Sequence, residues 1–134
     1  MNIRLDTLDY KFKYKPLLID GKAMEYYKLR KAGANIDLVV HSEDHKELVK
    51  KYPEHIKDLY GDIGVCEFDI EIWNQICTLD YQYLKENAIE EEDHFVISLE
   101  KLLFLKALAM EIPKYHKDLE LIVELVLKKA YEGK

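Results

Sequence analysis

The chain has 134 residues, 49% of them hydrophobic and 34% charged, enough apolar material for one core and too little length for a multidomain machine. Acidic residues outnumber basic ones, 26 to 20, and the formal net charge of -6 leaves the surface as a whole without attraction for nucleic acid or anionic membrane. A disordered chain and a general polyanion binder are excluded.

No Pro/Gly/Ser-rich stretch divides the sequence, so one domain over residues 1–134 is expected. Cys66 and Cys77 lie in one apolar region, and the first residues lack the pattern of a secretory signal, which predicts a reducing cytoplasm. The apolar run from Leu102 to Met110 is interrupted by Lys106 and falls short of the ~18 residues of a membrane span, so no membrane association is expected. His41 and His45 are spaced i,i+4, but no cysteine or third histidine stands where it would complete a zinc site.

Residues 1–15 mix basic, acidic and aromatic types without period and predict an arm or an edge strand. Leu17-Leu18-Ile19, between Pro16 and Asp20-Gly21, reads as a buried strand running into a tight turn. Lys22 to Lys31 has helix-forming composition, with Ala23, Met24, Tyr27 and Leu29 available for an apolar face and Gly33 as the stop. Ile36 to Val40, rich in β-branched residues, predicts a second strand. Ser42 reads as the N-cap of a helix that carries Glu43 and Asp44 in its first turn and ends at Pro53.

Pro53 to Gly64 reads as loop with one helical turn, Gly61 and Gly64 framing the entry to a third strand. That strand, Val65 to Trp73, alternates strictly. Period two puts Cys66, Phe68, Ile70 and Ile72 on one face and Glu67, Asp69 and Glu71 on the other. The plain reading is a half-buried sheet whose acidic face meets water.

Tyr81 to Asp93, ending in Glu90-Glu91-Glu92-Asp93, reads as a solvated loop, and His94 to Ile97 as a short strand. Ser98 caps a helix to about Ile112 that is apolar on nearly every side, which predicts burial between the sheet and another helix. Pro113 ends it. The last helix, about His116 to Tyr131, repeats Leu119, Ile122, Val123, Val126 and Ala130 at helical spacing. The predicted fold class is α/β (α+β): a small mixed sheet with helices packed on it and a C-terminal helical hairpin over 98–132.

Asp20-Gly21-Lys22 follows the first strand, and Asn35-Ile36-Asp37 follows after twelve residues on the second, with an acidic third strand beyond. This series resembles the nucleotidyltransferase-fold superfamily, whose members carry a Gly-Gly or Gly-Ser pair, an Asp-x-Asp motif and a third carboxylate on those strands. The resemblance reaches from Leu17 to about Trp73. Val96-Ile97-Ser98-Leu99-Glu100-Lys101-Leu102 and Tyr115-His116-Lys117-Asp118-Leu119 look like the C-terminal helices of small bacterial transferases related to abortive-infection toxins.

The resemblance implies a nucleotidyltransferase-like fold and transfer of a nucleoside monophosphate from an NTP to a hydroxyl on an RNA end, a protein or a small molecule. It implies Mg²⁺, or Mn²⁺ in its place, held by Asp37 with Asp69 or Glu71 as the further ligand, the choice between the two being open. Backbone N–H groups after Gly21 would approach the phosphates. Lys22, Arg30, Asn35 and Lys106 are the further nucleotide-binding candidates. A homo-oligomer or a cognate partner protein is also compatible with the family.

Two positions depart from the pattern. Lys22 stands where the family has a small residue, and Asn35 where it has the first aspartate. An amide oxygen brings no charge to a metal, so affinity falls and the attacking hydroxyl is less acidic. The alternative expectation is therefore a catalytically degenerate relative that serves as a binding or toxin–antitoxin partner module. Lys106, with Leu102, Leu103, Ala109 and Met110 as helical neighbours, must snorkel to water, meet an acid, or reach phosphate together with Lys117 and Asp118.

Overall fold

A computed structural model of the chain describes residues 3–109 and 112–132. In chain order the elements are β1 (Leu17–Ile19), α1 (Asp20–Tyr26), β2 (Ile36–Val39), α2 (Ser42–Lys51), β3 (Ile56–Leu59), β4 (Asp62–Glu67), β5 (Ile70–Trp73), β6 (Gln75–Ile76), β7 (Leu79–Asp80), α3 (Tyr81–Leu84), β8 (Ile89–Glu90), β9 (Phe95–Val96), α4 (Leu99–Leu108) and α5 (Pro113–Ala130). The described residues fall into two compact units, one up to Ile97 and one from Ser98. Among them no helix is long and apolar enough to cross a membrane.

The first unit is built on a mixed seven-stranded sheet in the order β3-β4-β5-β2-β1-β9-β8, with β6 and β7 as a separate hairpin. Its centre is apolar for the reason the sequence suggests: Leu17, Leu18 and Ile19 of β1 are all buried, so this strand is covered on both faces. β1 runs antiparallel to β2 and parallel to β9, and β2 runs parallel to β5. Ala23 and Met24 of α1 pack into the same core beside β1 and β2. The mixed α/β class and the mixed sheet are thus as expected.

Several boundaries differ, each for a local reason. α1 ends at Tyr26, well before Gly33, because Lys28 takes a left-handed conformation at φ 61. The Lys28 N–H then donates to the Glu25 carbonyl and the Leu29 N–H to the Met24 carbonyl, the pair of bonds that closes a helix around a left-handed residue. α2 begins at Ser42, but its cap is His41, whose Nδ1 accepts from the Glu43 N–H at 3.1 Å. Ser98 does cap α4, accepting from the Lys101 N–H at 3.2 Å.

Among its described residues the N-terminal arm contains a short 3-10 turn over Leu5–Thr7 and no strand. Ile3 and Leu8, on either side of this turn, are buried, and further along the arm is held by Asp44 of α2. That carboxylate is 0% exposed and accepts the Tyr10 hydroxyl at 2.5 Å and the N–H groups of Lys13 and Tyr14 at 2.9 and 3.0 Å. Tyr14 stacks on His41, ring centroids 3.9 Å apart. The Tyr81 hydroxyl, its pKa pushed up to about 12 chiefly by burial, closes the segment by donating to the Lys15 carbonyl at 2.5 Å.

The segment expected to be loop before Gly64 is instead β3, antiparallel to β4 across a tight turn at Tyr60-Gly61, where both residues have positive φ. The alternating run Val65–Trp73 is not one strand but the two arms of a hairpin, β4 and β5, turning at Phe68-Asp69 with Phe68 at φ 56. Phe68, expected in the core, is 65% exposed as a result. Gly64 lies within β4, opposite Trp73, and not in a turn. Where a solvated acidic loop was expected, α3 and β8 form; β8 pairs with β9, and Glu90 is ion-paired with Lys15 at 2.8 Å.

In the second unit α4 and α5 pack against each other as the expected hairpin. α4 stops at Leu108, and Phe104 and Leu108 are exposed, so it is not buried on every side. Pro113 opens α5 at a position where a missing N–H costs nothing.

Candidate functional site

β2 and β5 are parallel neighbours, and their register sets Asp37 opposite Glu71. Ile36 and Leu38 are buried on one face of β2, so alternation sends Asp37 to the other. Residues in register on adjacent strands share a face at a backbone separation of about 5 Å. The two residues therefore lie side by side on one face of the sheet. Ile19 of β1 flanks Asp37 on its far side, and Cys66 of β4 is opposite Glu71 on the other.

Lys57 of β3, in register with Gly64, reaches this row diagonally, its Nζ 3.3 Å from Glu71 Oε1. The Cys66 thiol donates to the same Glu71 oxygen at 3.7 Å. The hydrogen bond and charge of Glu71 raise the Lys57 pKa, and the charges of Cys66 and Asp37 add to this while burial opposes it. Burial, followed by the charge of Glu71, pushes the Cys66 thiol up, and Asp37 contributes further. Asp37 is thus within electrostatic reach of both groups.

Sequence reasoning missed Lys57 and Cys66. Read as one strand, Val65–Trp73 put Cys66 and Glu71 on opposite faces; the hairpin turn brings them onto the same face. It also separates the three acids expected to share a face. Glu67 pairs across the ladder with Ile70, on the face away from Glu71, and its carboxylate contacts the His55 imidazole. Asp69 sits exposed in the turn, where its carbonyl accepts the Ile36 N–H at 2.7 Å.

Gly21 and Arg30 are also brought together. A Cβ built on Gly21 would lie 3.7 Å from Arg30 Nη1 and 3.7 Å from Ala32 Cβ, ordinary contact distances that do not by themselves demand glycine. Arg30 Nη1 donates to the Lys31 carbonyl at 3.0 Å. Lys22 is half-buried on α1, and Asn35 is exposed just before β2. Lys106 belongs to α4 in the helical unit, where its Nζ is 3.1 Å from Asp118 and 4.3 Å from the centroid of the Tyr115 ring.

Among the described residues no three His, Cys, Asp or Glu side chains converge as a metal centre. Asp37 and Glu71 nevertheless set two carboxylate side chains at neighbouring positions of one face, and carboxylates suit a hard divalent cation completed by water or phosphate oxygens. The chain matches no family model, no curated protein and no solved structure.

Proposed function

We propose that this chain is a nucleotidyltransferase-type protein, which binds an NTP with Mg²⁺ or Mn²⁺ at Asp37 and Glu71 and transfers its nucleoside monophosphate to a hydroxyl acceptor with release of pyrophosphate. The carrying observation is the register of Asp37 against Glu71 on adjacent parallel strands. Support also comes from order along the chain: a strand leading into Asp20-Gly21, then the strand of Asp37, then that of Glu71. This is the order of the motifs in the nucleotidyltransferase-fold superfamily that the sequence resembles. The proposal takes Glu71 as the further ligand, since Asp69 lies in the turn.

When bound, the cation neutralises triphosphate oxygens and makes the attacking hydroxyl more acidic. In this reading Asp37 and Glu71 hold it, and Arg30, next to Gly21, meets phosphate oxygens with its planar guanidinium. Asn35 and Lys22 border the same end of β2 and α1 and line the nucleotide's approach. Lys106, ion-paired with Asp118, is left out of the set. The acceptor, an RNA end, a protein or a small molecule, is met in the cytoplasm.

Calorimetric titration with Mg²⁺ and each NTP tests the proposal on the wild type, Asp37→Asn and Glu71→Gln. The wild type is expected to bind one metal–nucleotide pair and each variant to bind at least tenfold more weakly. Absence of binding by the wild type overturns it.

A second reading, a relative that binds but does not transfer, is favoured by Asn35, which leaves two carboxylates where the resembled family has three. Incubation with α-labelled NTP and candidate acceptors separates the two. Stable nucleotide binding without label transfer supports the second reading.

A further inference from the structure

We infer that Lys57 is the resident counter-ion of Glu71 beside Asp37, and that a divalent cation enters by displacing its ammonium from Glu71. The inference rests on reading Asp37 and Glu71 as a cation site. Lys57 Nζ is 3.3 Å from Glu71 Oε1, with the two side chains 54% and 22% exposed. The carboxylate is thus the more enclosed partner and has the greater need of a nearby positive charge. The ammonium is the more exposed and can leave for water at small cost.

The strand that carries Lys57 favours this exchange. Among the described residues β3 is the last strand on its side of the sheet, bonded only to β4, and all four of its residues are exposed. Packing therefore does not hold the lysine stem in place. Charge points the same way: a dication attracts the Glu71 carboxylate more strongly than the single charge of an ammonium does.

Mn²⁺ alone, followed by electron paramagnetic resonance at low ionic strength, is the probe. It is titrated into the wild type, Lys57→Met, Lys57→Gln, Lys57→Arg and Asp37→Asn. Both neutral variants are expected to bind Mn²⁺ about fivefold more tightly than the wild type, the scale of one exposed ion pair. Lys57→Arg, which keeps the charge, is expected to match the wild type, and Asp37→Asn to lose binding. If the neutral variants bind no tighter while Asp37→Asn still loses binding, the cation site stands and the role of Lys57 fails. If neither the wild type nor the neutral variants bind Mn²⁺, the functional reading fails and this inference with it.

Discussion

Gly64 lies opposite Trp73 in the β4–β5 ladder, and the indole covers it so closely that a Cβ at this position would stand 2.8 Å from the ring. The ring is nearly buried, and it belongs to the strand that carries Glu71. Gly64→Ala is expected to lose about 1–3 kcal/mol of stability, since the ring or the strand must shift to accept the methyl group. Urea denaturation checks this, and an unchanged midpoint would show that the indole moves without cost.

Asp44 holds residues 10–14 of the arm against α2 through three accepted hydrogen bonds. Removing the acceptor leaves two backbone N–H groups and a hydroxyl to find other partners. Asp44→Ala is expected to cost about 3 kcal/mol. Hydrogen exchange gives the local readout: the amides of Lys13 and Tyr14 should exchange faster in the variant, with those of β1 much less affected.

His45 is buried on α2, with Nε2 2.8 Å from the Ile63 carbonyl. Burial lowers its pKa below the usual imidazole range, and the bond to that carbonyl opposes this in part. The unfolded chain takes up a proton at this position near pH 6.5, while the folded one stays neutral to lower pH. Below about pH 6.5 the unfolded state binds more protons, so stability falls as pH drops, by up to about 1.4 kcal/mol per pH unit. The fall stops once the folded imidazole titrates as well. His45→Gln, whose amide can still donate to Ile63, should lose this part of the pH slope when its melting temperatures are compared with those of the wild type from pH 7.5 to 5.

Lys106 and Asp118 form an ion pair inside the helical unit with side chains 2% and 3% exposed. Lys106→Met takes this counter-charge away from a buried carboxylate and is expected to cost about 3–5 kcal/mol. Replacing both residues, Lys106→Met with Asp118→Leu, should recover most of that loss, because two desolvated charges are exchanged for packing. A double-mutant cycle in denaturant measures the difference.

The two thiols provide a check on the candidate site. Cys77 is exposed, whereas Cys66 is half-buried against Glu71, with its pKa raised by burial and by that carboxylate. Thiolate is the reacting form, so iodoacetamide at pH 8 should modify Cys77 first. Glu71→Gln should narrow the gap by speeding the reaction of Cys66.

The elements legible in the sequence are those with a strong local cause. Leu17-Leu18-Ile19 and Ile36–Val39 are apolar runs between breakers, and Ser98 is a cap followed by helix formers. Elements made by tertiary pairing were hidden. Ile56-Lys57-Asp58-Leu59 has no strand alternation of its own and becomes a strand because β4 pairs with it. The turn at Phe68-Asp69 has no glycine, and the alternation of types runs straight through it, so the pattern is that of one strand where the backbone reverses. Lys28 closes α1 in a conformation that usually announces itself by glycine.

The site was legible in the same uneven way. Asp37 opposite the core face of β2 follows from the residues next to it in sequence. Its partnership with Glu71 depends on the register of two strands more than thirty residues apart, which no local pattern fixes. Lys57 and Cys66 reach Glu71 only through two further hairpin registers.

The position of β3 at the end of the sheet also bears on how molecules of this protein meet one another. A bare strand edge invites another strand, and a second copy would approach it antiparallel about a two-fold axis normal to the sheet. Such an axis sets one residue against its own counterpart. In the two registers with the most overlap, that residue is Lys57 or Asp58. Like charges then stand directly opposite each other at strand spacing, an arrangement that is destabilising. The middle of β3 therefore repels its own copy, and that repulsion guards the sheet against growing from molecule to molecule at this edge.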